Sequence, residues 1–160
     1  MIIQLRIDDR LIHGEVVAMW LGYTNADVVC VADDATATNP MLKMAMSLAK
    51  PAGVDMPILT IDDAIAYLNE NADSNKRIFA VTQNAQNALK IAQNVEALKD
   101  VNAGALRASD GKKQVSLRVF VDEQDIKDLQ EINSLGKTVV SQTKPDMKAM
   151  SLEEIIAKAK

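Results

Sequence analysis

Ile2-Ile3-Gln4-Leu5-Arg6-Ile7 runs straight into Asp8-Asp9-Arg10-Leu11-Ile12-His13-Gly14-Glu15. The first six residues are mostly aliphatic and β-branched, which suits a strand; the next eight are largely polar, and His13-Gly14 sits where a loop turns into a helix. Residues 14–23 follow with Val16, Met19, Trp20 and Tyr23 at the spacing of one α-helical face. Asp27 to Ala32 is a second strand built around Val28-Val29-Cys30-Val31.

The same alternation continues outward. Asn39-Pro40 predicts a helix start, with Asn39 as N-cap and Pro40 in the first turn. Met41, Leu42, Ala45, Leu48 and Ala49 would form its buried stripe. Further strands are expected at Pro57–Thr60, Ile78–Val81, Ala97–Ala103, Val115–Val121 and Thr138–Ser141. Helices are expected over Asp62–Asn71, along Ala85, Ala88, Leu89, Ala92 and Val95, and from near Asp122 to a stop at Gly136. Ser151-Leu152-Glu153-Glu154 is a capping box for a terminal helix. A turn at Ser109-Asp110-Gly111 between consecutive strands points to local antiparallel or irregular pairing. The expectation is an α/β protein: a single three-layer sandwich domain over residues 1–160 with a mostly parallel central sheet.

Composition narrows the function. Apolar residues make up 48% and aromatic residues only 3%, so the core is aliphatic with help from 8 methionines. One cysteine allows no internal disulfide, and Cys30 reads as a small buried hydrophobe. A net charge of −4 argues against nucleic acid as a partner. The amino terminus lacks a signal-peptide pattern, and no apolar stretch approaches the ~20 residues that span a bilayer, so a cytoplasmic location is expected.

In open α/β sheets, ligands bind beyond the carboxyl ends of the strands, which directs attention to the segment after the first strand. That segment carries the only histidine, His13, together with Arg10, Asp8, Asp9 and Glu15. Backbone amides at Leu11, Ile12 and Gly14 would face an anion at the start of the helix, and Gly14 would permit close approach. A neutral imidazole nitrogen is nucleophilic near pH 7, so His13 could accept a phosphoryl group. Arg10 would hold its oxygens bidentately, and a carboxylate would fix the other ring nitrogen. With those donors no metal and no other cofactor is needed. Gly104 to Lys113 fails the phosphate-loop spacing, and one cysteine cannot complete a zinc-deaminase signature.

Arg6-Ile7-Asp8-Asp9-Arg10-Leu11-Ile12-His13-Gly14 resembles the active-site signature of the IIB components of the mannose–fructose–sorbose family of the bacterial sugar phosphotransferase system. Val31-Ala32-Asp33-Asp34, Ala49-Lys50-Pro51-Ala52-Gly53-Val54 and Gly111-Lys112-Lys113-Gln114-Val115-Ser116 extend the likeness along the chain. The resemblance implies that His13 is phosphorylated at Nδ1 by a phosphorylated IIA partner. The group would then pass to a sugar held by the membrane IIC and IID components, with this protein at the inner face of the membrane. It also implies a phosphate-contacting role for Arg10 and acidic loop positions at Asp8 and Asp9. Glu15 stands where the motif usually has glutamine, adding a negative charge beside the expected phosphate. Asn102-Ala103-Gly104-Ala105-Leu106 lacks the paired glycines and methionine often found there.

A receiver-like signalling domain is the main alternative. Asp8-Asp9 would bind Mg²⁺, Asp62 or Asp63 would be phosphorylated, and Thr82 would follow the fourth strand. A non-catalytic binding module would carry no phosphoryl group at all.

Overall fold

Strand β1 (Ile2–Asp8) lies in the middle of a seven-stranded sheet of order β3-β2-β4-β1-β5-β8-β9. The computed structural model describes residues 1–160. The other strands of this sheet are β2 (Val28–Ala32), β3 (Ile58–Leu59), β4 (Ile78–Thr82), β5 (Asp100–Ala105), β8 (Thr138–Ser141) and β9 (Met150–Ser151). All neighbours run parallel except β8 and β9, so the sheet is mostly parallel as expected. Val28, Cys30 and Ala32 of β2 face one layer, while Val29 and Val31 face the other. Both faces of the strand are therefore apolar, because successive side chains point to opposite sides.

Helices α4 (Ile61–Glu70), α5 (Ala85–Asn94), α6 (Glu123–Ser134) and α7 (Leu152–Ala159) supply residues to the larger apolar layer. The opposite layer is thinner. It contains Leu11 and Ile12 of the loop after β1, then Val16, Trp20 and Leu21, with Met46 and Ala49 at its margin. Cap chemistry explains several helix starts. The side chain of Asn39 accepts from the amides of Met41 and Leu42 ahead of α3 (Pro40–Ser47). Ser151 and Glu154 exchange the two bonds of a capping box ahead of α7. Gly136 ends α6 at φ +80°, where a Cβ would be strained.

Four expectations change. The helix after His13 is π-wound over Val16–Leu21 before it runs into the short α1 (Gly22–Thr24). An i→i+5 ladder brings residues four and five apart onto one face, so Val16, Trp20 and Leu21 are buried while Met19 and Tyr23 are exposed. Helix α3 buries none of its residues, contrary to the stripe its spacing suggests. The apolar run at 115–121 is not one strand but the hairpin β6 (Lys113–Ser116) and β7 (Val119–Val121), paired antiparallel. Strand β5 begins at Asp100, later than Ala97, because Leu98 is held in a turn by its bond to the Val95 carbonyl. A short helix, α2 (Asp34–Thr38), also forms where Asp33 caps the amide of Thr36.

Candidate active site

The loop leaving β1 is a tight turn. The Leu11 amide donates to the Asp8 carbonyl at 2.9 Å, and the Arg10 amide donates to Asp8 Oδ1 at 3.1 Å. Leu11 closes the turn at φ +58°, a left-handed conformation that costs an ordinary residue about 1–2 kcal/mol. Burial of the Leu11 and Ile12 side chains offsets that cost and pins the loop to the thinner layer. The Leu11 amide is thus consumed within the turn and does not face outward as expected. The amides of Ile12, His13 and Gly14 have no acceptor in the protein.

Asp8 organises the site. Its side chain is fully buried, and Oδ2 lies 3.0 Å from His13 Nε2 and 3.2 Å from Arg6 Nε. Burial pushes the Asp8 carboxyl up, but the His13 bond, the Arg6 charge, the His13 charge and the Arg10 amide together hold it below the usual carboxylate range. An ionised carboxylate only accepts, so Nε2 carries the hydrogen and Nδ1 of the neutral ring keeps its lone pair. Nδ1 has no hydrogen-bond partner in the protein, and the ring is 16% exposed.

Arg6 escapes sequence reasoning because it sits inside an apolar strand and looks like part of it. Its guanidinium is buried beneath Trp20, 5.1 Å from the ring centroid, and Nη1 donates to the Gln142 carbonyl at 3.2 Å. The pairing of β1 with β5 slips between Ile7 and Asp8, leaving Gly104 as the extra residue. A Cβ on Gly104 would run into the Arg6 guanidinium. An arginine amid aliphatic residues and a glycine inside a strand are the two signals that could have revealed this contact.

The rim is basic. Arg107 Nε pairs with Asp9 Oδ2 at 3.1 Å, and Arg10 Nη2 and Arg118 Nη2 each lie 3.5 Å from Glu15 Oε2. Around His13, four guanidinium groups therefore face three carboxylates, within a chain whose overall charge is −4. The Glu15 charge, expected to add a negative charge beside the phosphate, is shared by two arginines. Gly14 has open space where a Cβ would be, so nothing in the fold requires glycine there.

The receiver arrangement is not assembled. Asp8 and Asp9 turn to different arginines, Asp62 pairs with Lys90, Asp63 accepts from the Thr60 hydroxyl, and Thr82 donates to the Ala32 carbonyl.

Residues 2–160 match the family model described as the sorbose subfamily IIB component of the phosphotransferase system. The chain belongs to this family of IIB components. Its relatives include the N-acetylgalactosamine-specific phosphotransferase enzyme IIB component 1 of Escherichia coli, 35% identical over 145 residues, which are 90% of this chain and 91% of the relative. The mannose-specific EIIAB component of Escherichia coli is 30% identical over 150 residues, 92% of this chain but only 46% of that longer protein. Among solved structures, the IIBSor domain of the sorbose permease from Klebsiella pneumoniae superposes with a TM-score of 0.90 at 25% identity, covering 99% of this chain and 98% of that one. This protein is accordingly a IIB component of sugar phosphotransfer, and IIB components are phosphotransferases.

Proposed function

We propose that this IIB component carries a phosphoryl group on His13 Nδ1 between a phosphorylated IIA protein and a sugar. The observation that supports it most is the bond from Nε2 to the buried Asp8, which leaves Nδ1 of the sole histidine as the free nucleophile. The lone pair of Nδ1 attacks phosphorus while the donor nitrogen–phosphorus bond breaks and its electron pair returns to the donor imidazole. No proton changes hands, because Nε2–H stays on Asp8 throughout. Arg10 and the amides of Ile12, His13 and Gly14 meet the phosphoryl oxygens, and Asp9 holds the loop through Arg107. In the second half-reaction a sugar hydroxyl oxygen attacks phosphorus, the Nδ1–P bond returns its pair to Nδ1, and the hydroxyl proton leaves to the acceptor side.

The donor is a IIA protein or domain of the kind joined to a IIB half in the mannose EIIAB relative. The acceptor sugar sits in membrane IIC and IID components, so this single domain works on the cytoplasmic side, against the membrane without crossing it. No helix of the protein is long and apolar enough to cross a membrane.

Incubation with the general phosphotransferase proteins, a IIA protein and labelled phosphoenolpyruvate tests the reading. Label is expected on His13, labile in acid and stable in alkali, and absent from His13→Gln. Label on Asp62 or Asp63 that requires Mg²⁺ would restore the receiver reading. No label under any condition would leave a binding module.

A further inference from the structure

The β6–β7 hairpin reaches back to the loop that carries His13. It is tied to the end of β5, where the Leu106 amide donates to the Arg118 carbonyl at 2.9 Å and the Phe120 amide donates to the Leu106 carbonyl at 3.0 Å. Arg118, at the hairpin turn, is thereby directed at Glu15, two residues past His13. Arg10 and Arg118 line one shallow cleft of about 230 Å³ together with Arg107 and Asp9. Their guanidinium groups share a single oxygen, Glu15 Oε2, each at 3.5 Å.

That arrangement is loosely held. Each arginine makes one end-on contact at the outer limit of an ion pair, without the bidentate fork that guanidinium prefers with oxyanions. Both arginines are more than a third exposed, so each pair contributes little, and parting from Glu15 costs little. One carboxylate also leaves the two cations with a positive charge unmatched. A phosphoryl group on His13, two residues before Glu15 in the chain, would bring about two negative charges and three acceptor oxygens.

We propose that Arg118 is a second guanidinium ligand of the phosphoryl group on His13, and that Glu15 holds Arg10 and Arg118 over the site until that group arrives. The assignment rests on the phosphocarrier reading above. Glu15 is then a placeholder: its monoanion gathers the two cations in the unphosphorylated protein and yields them to the dianion.

The test uses the full chain charged from phosphoenolpyruvate through the general proteins and the IIA half of the Escherichia coli mannose EIIAB protein. The exchange equilibrium with phosphorylated IIA and the ³¹P titration of phospho-His13 are measured in Arg118→Ala, Arg118→Lys, Glu15→Gln and the Arg118→Ala/Glu15→Gln pair. Arg118→Ala should move the equilibrium toward the donor by about tenfold and raise the phosphoryl group's second ionisation by roughly half a unit to one unit, because a cation that favours the dianion has gone. Arg118→Lys should restore most of both. Glu15→Gln should favour phospho-His13 in the parent and do so less once Arg118 is absent, since one fewer arginine is then released. An unchanged titration in Arg118→Ala, or a loss that lysine does not rescue and that tracks a lower melting temperature, would overturn the assignment while leaving His13 as carrier. Failure of the parent chain to form phospho-His13 would overturn both.

Discussion

The carboxylate of Asp8 holds a buried guanidinium and an imidazole through one oxygen, so the chemistry of His13 and the stability of β1 meet in the same side chain. Removing the charge in Asp8→Asn leaves Arg6 buried without its counter-ion, which typically costs about 3–5 kcal/mol. The pH dependence has a definite sign. The folded pKa of Asp8 lies below its unfolded value, so its stabilisation is complete above the unfolded pKa of about 3.9 and is lost as pH falls through the folded value. Urea midpoints of parent and Asp8→Asn should therefore differ most near neutrality and converge below about pH 4. Arg10 makes a contrasting case. Its side chain is partly exposed and its amide, not its guanidinium, belongs to the turn, so Arg10→Lys should leave the urea midpoint in place. Transfer from IIA should nonetheless slow at least ~10-fold, about 1.4 kcal/mol of transition-state stabilisation, because lysine lacks the fork that spans two phosphoryl oxygens. Stopped transfer assays on the two proteins at equal concentration measure it.

Between elements, the decisive contact is the one β5 makes with β1 at Gly104. In Gly104→Ala the new methyl meets a guanidinium already confined by Trp20, Gln142 and Asp8, so overpacking should lower stability by about 1–3 kcal/mol. Gly14→Ala is the opposite case: open space and ordinary backbone mean an unchanged or slightly raised melting temperature. Differential scanning calorimetry on both separates a glycine the fold needs from one that only a ligand's approach could need. The two positions also explain what the sequence could tell. The alternation of apolar runs with capped helices is local, so β1, β2, β4, β8, the Asn39 cap and the Ser151 box are legible from spacing alone. His13, Arg10 and Asp8 are legible because they crowd one strand exit. Arg107 and Arg118 are not, since their partners are brought close by register and by a hairpin distant in sequence, and Arg6 is not because its contacts beyond Asp8, with Trp20 and Gln142, are distant. The π-wound turn is not legible either: Trp20 within it packs over Arg6 and donates to the Thr143 carbonyl, contacts with residues far from it in sequence.

For the molecule as a whole, helix α3 has more apolar surface than the fold covers. Asn39 and Pro40 start this helix by capping, which works whether or not the helix is buried. Within the helix only Met46 rests against the thinner layer, joined by Ala49 just past its end. Met41, Met44 and Leu48 stand 81%, 70% and 85% exposed, close to the exposure they would have in the unfolded chain. Little apolar area is then removed from water on folding, and truncating or polarising these side chains should cost little. The triple variant Met41→Gln/Met44→Gln/Leu48→Gln should therefore keep its unfolding free energy, from urea titration, to within about 0.5 kcal/mol per site. A buried stripe, as the spacing alone suggests, would lose roughly 2–5 kcal/mol at each large position. Leu68→Ala in α4 provides the calibration, because Leu68 is fully buried and should fall in that larger range. The measurement belongs at low micromolar protein, so that self-association through the exposed face does not add to apparent stability. A large drop in the triple variant's midpoint would mean that α3 folds inward in solution. An unchanged midpoint with slowed transfer from IIA would place the loss in the encounter with a partner, because the chain leaves β2 for α2 and α3 at the same carboxyl edge of the sheet at which it leaves β1 for His13.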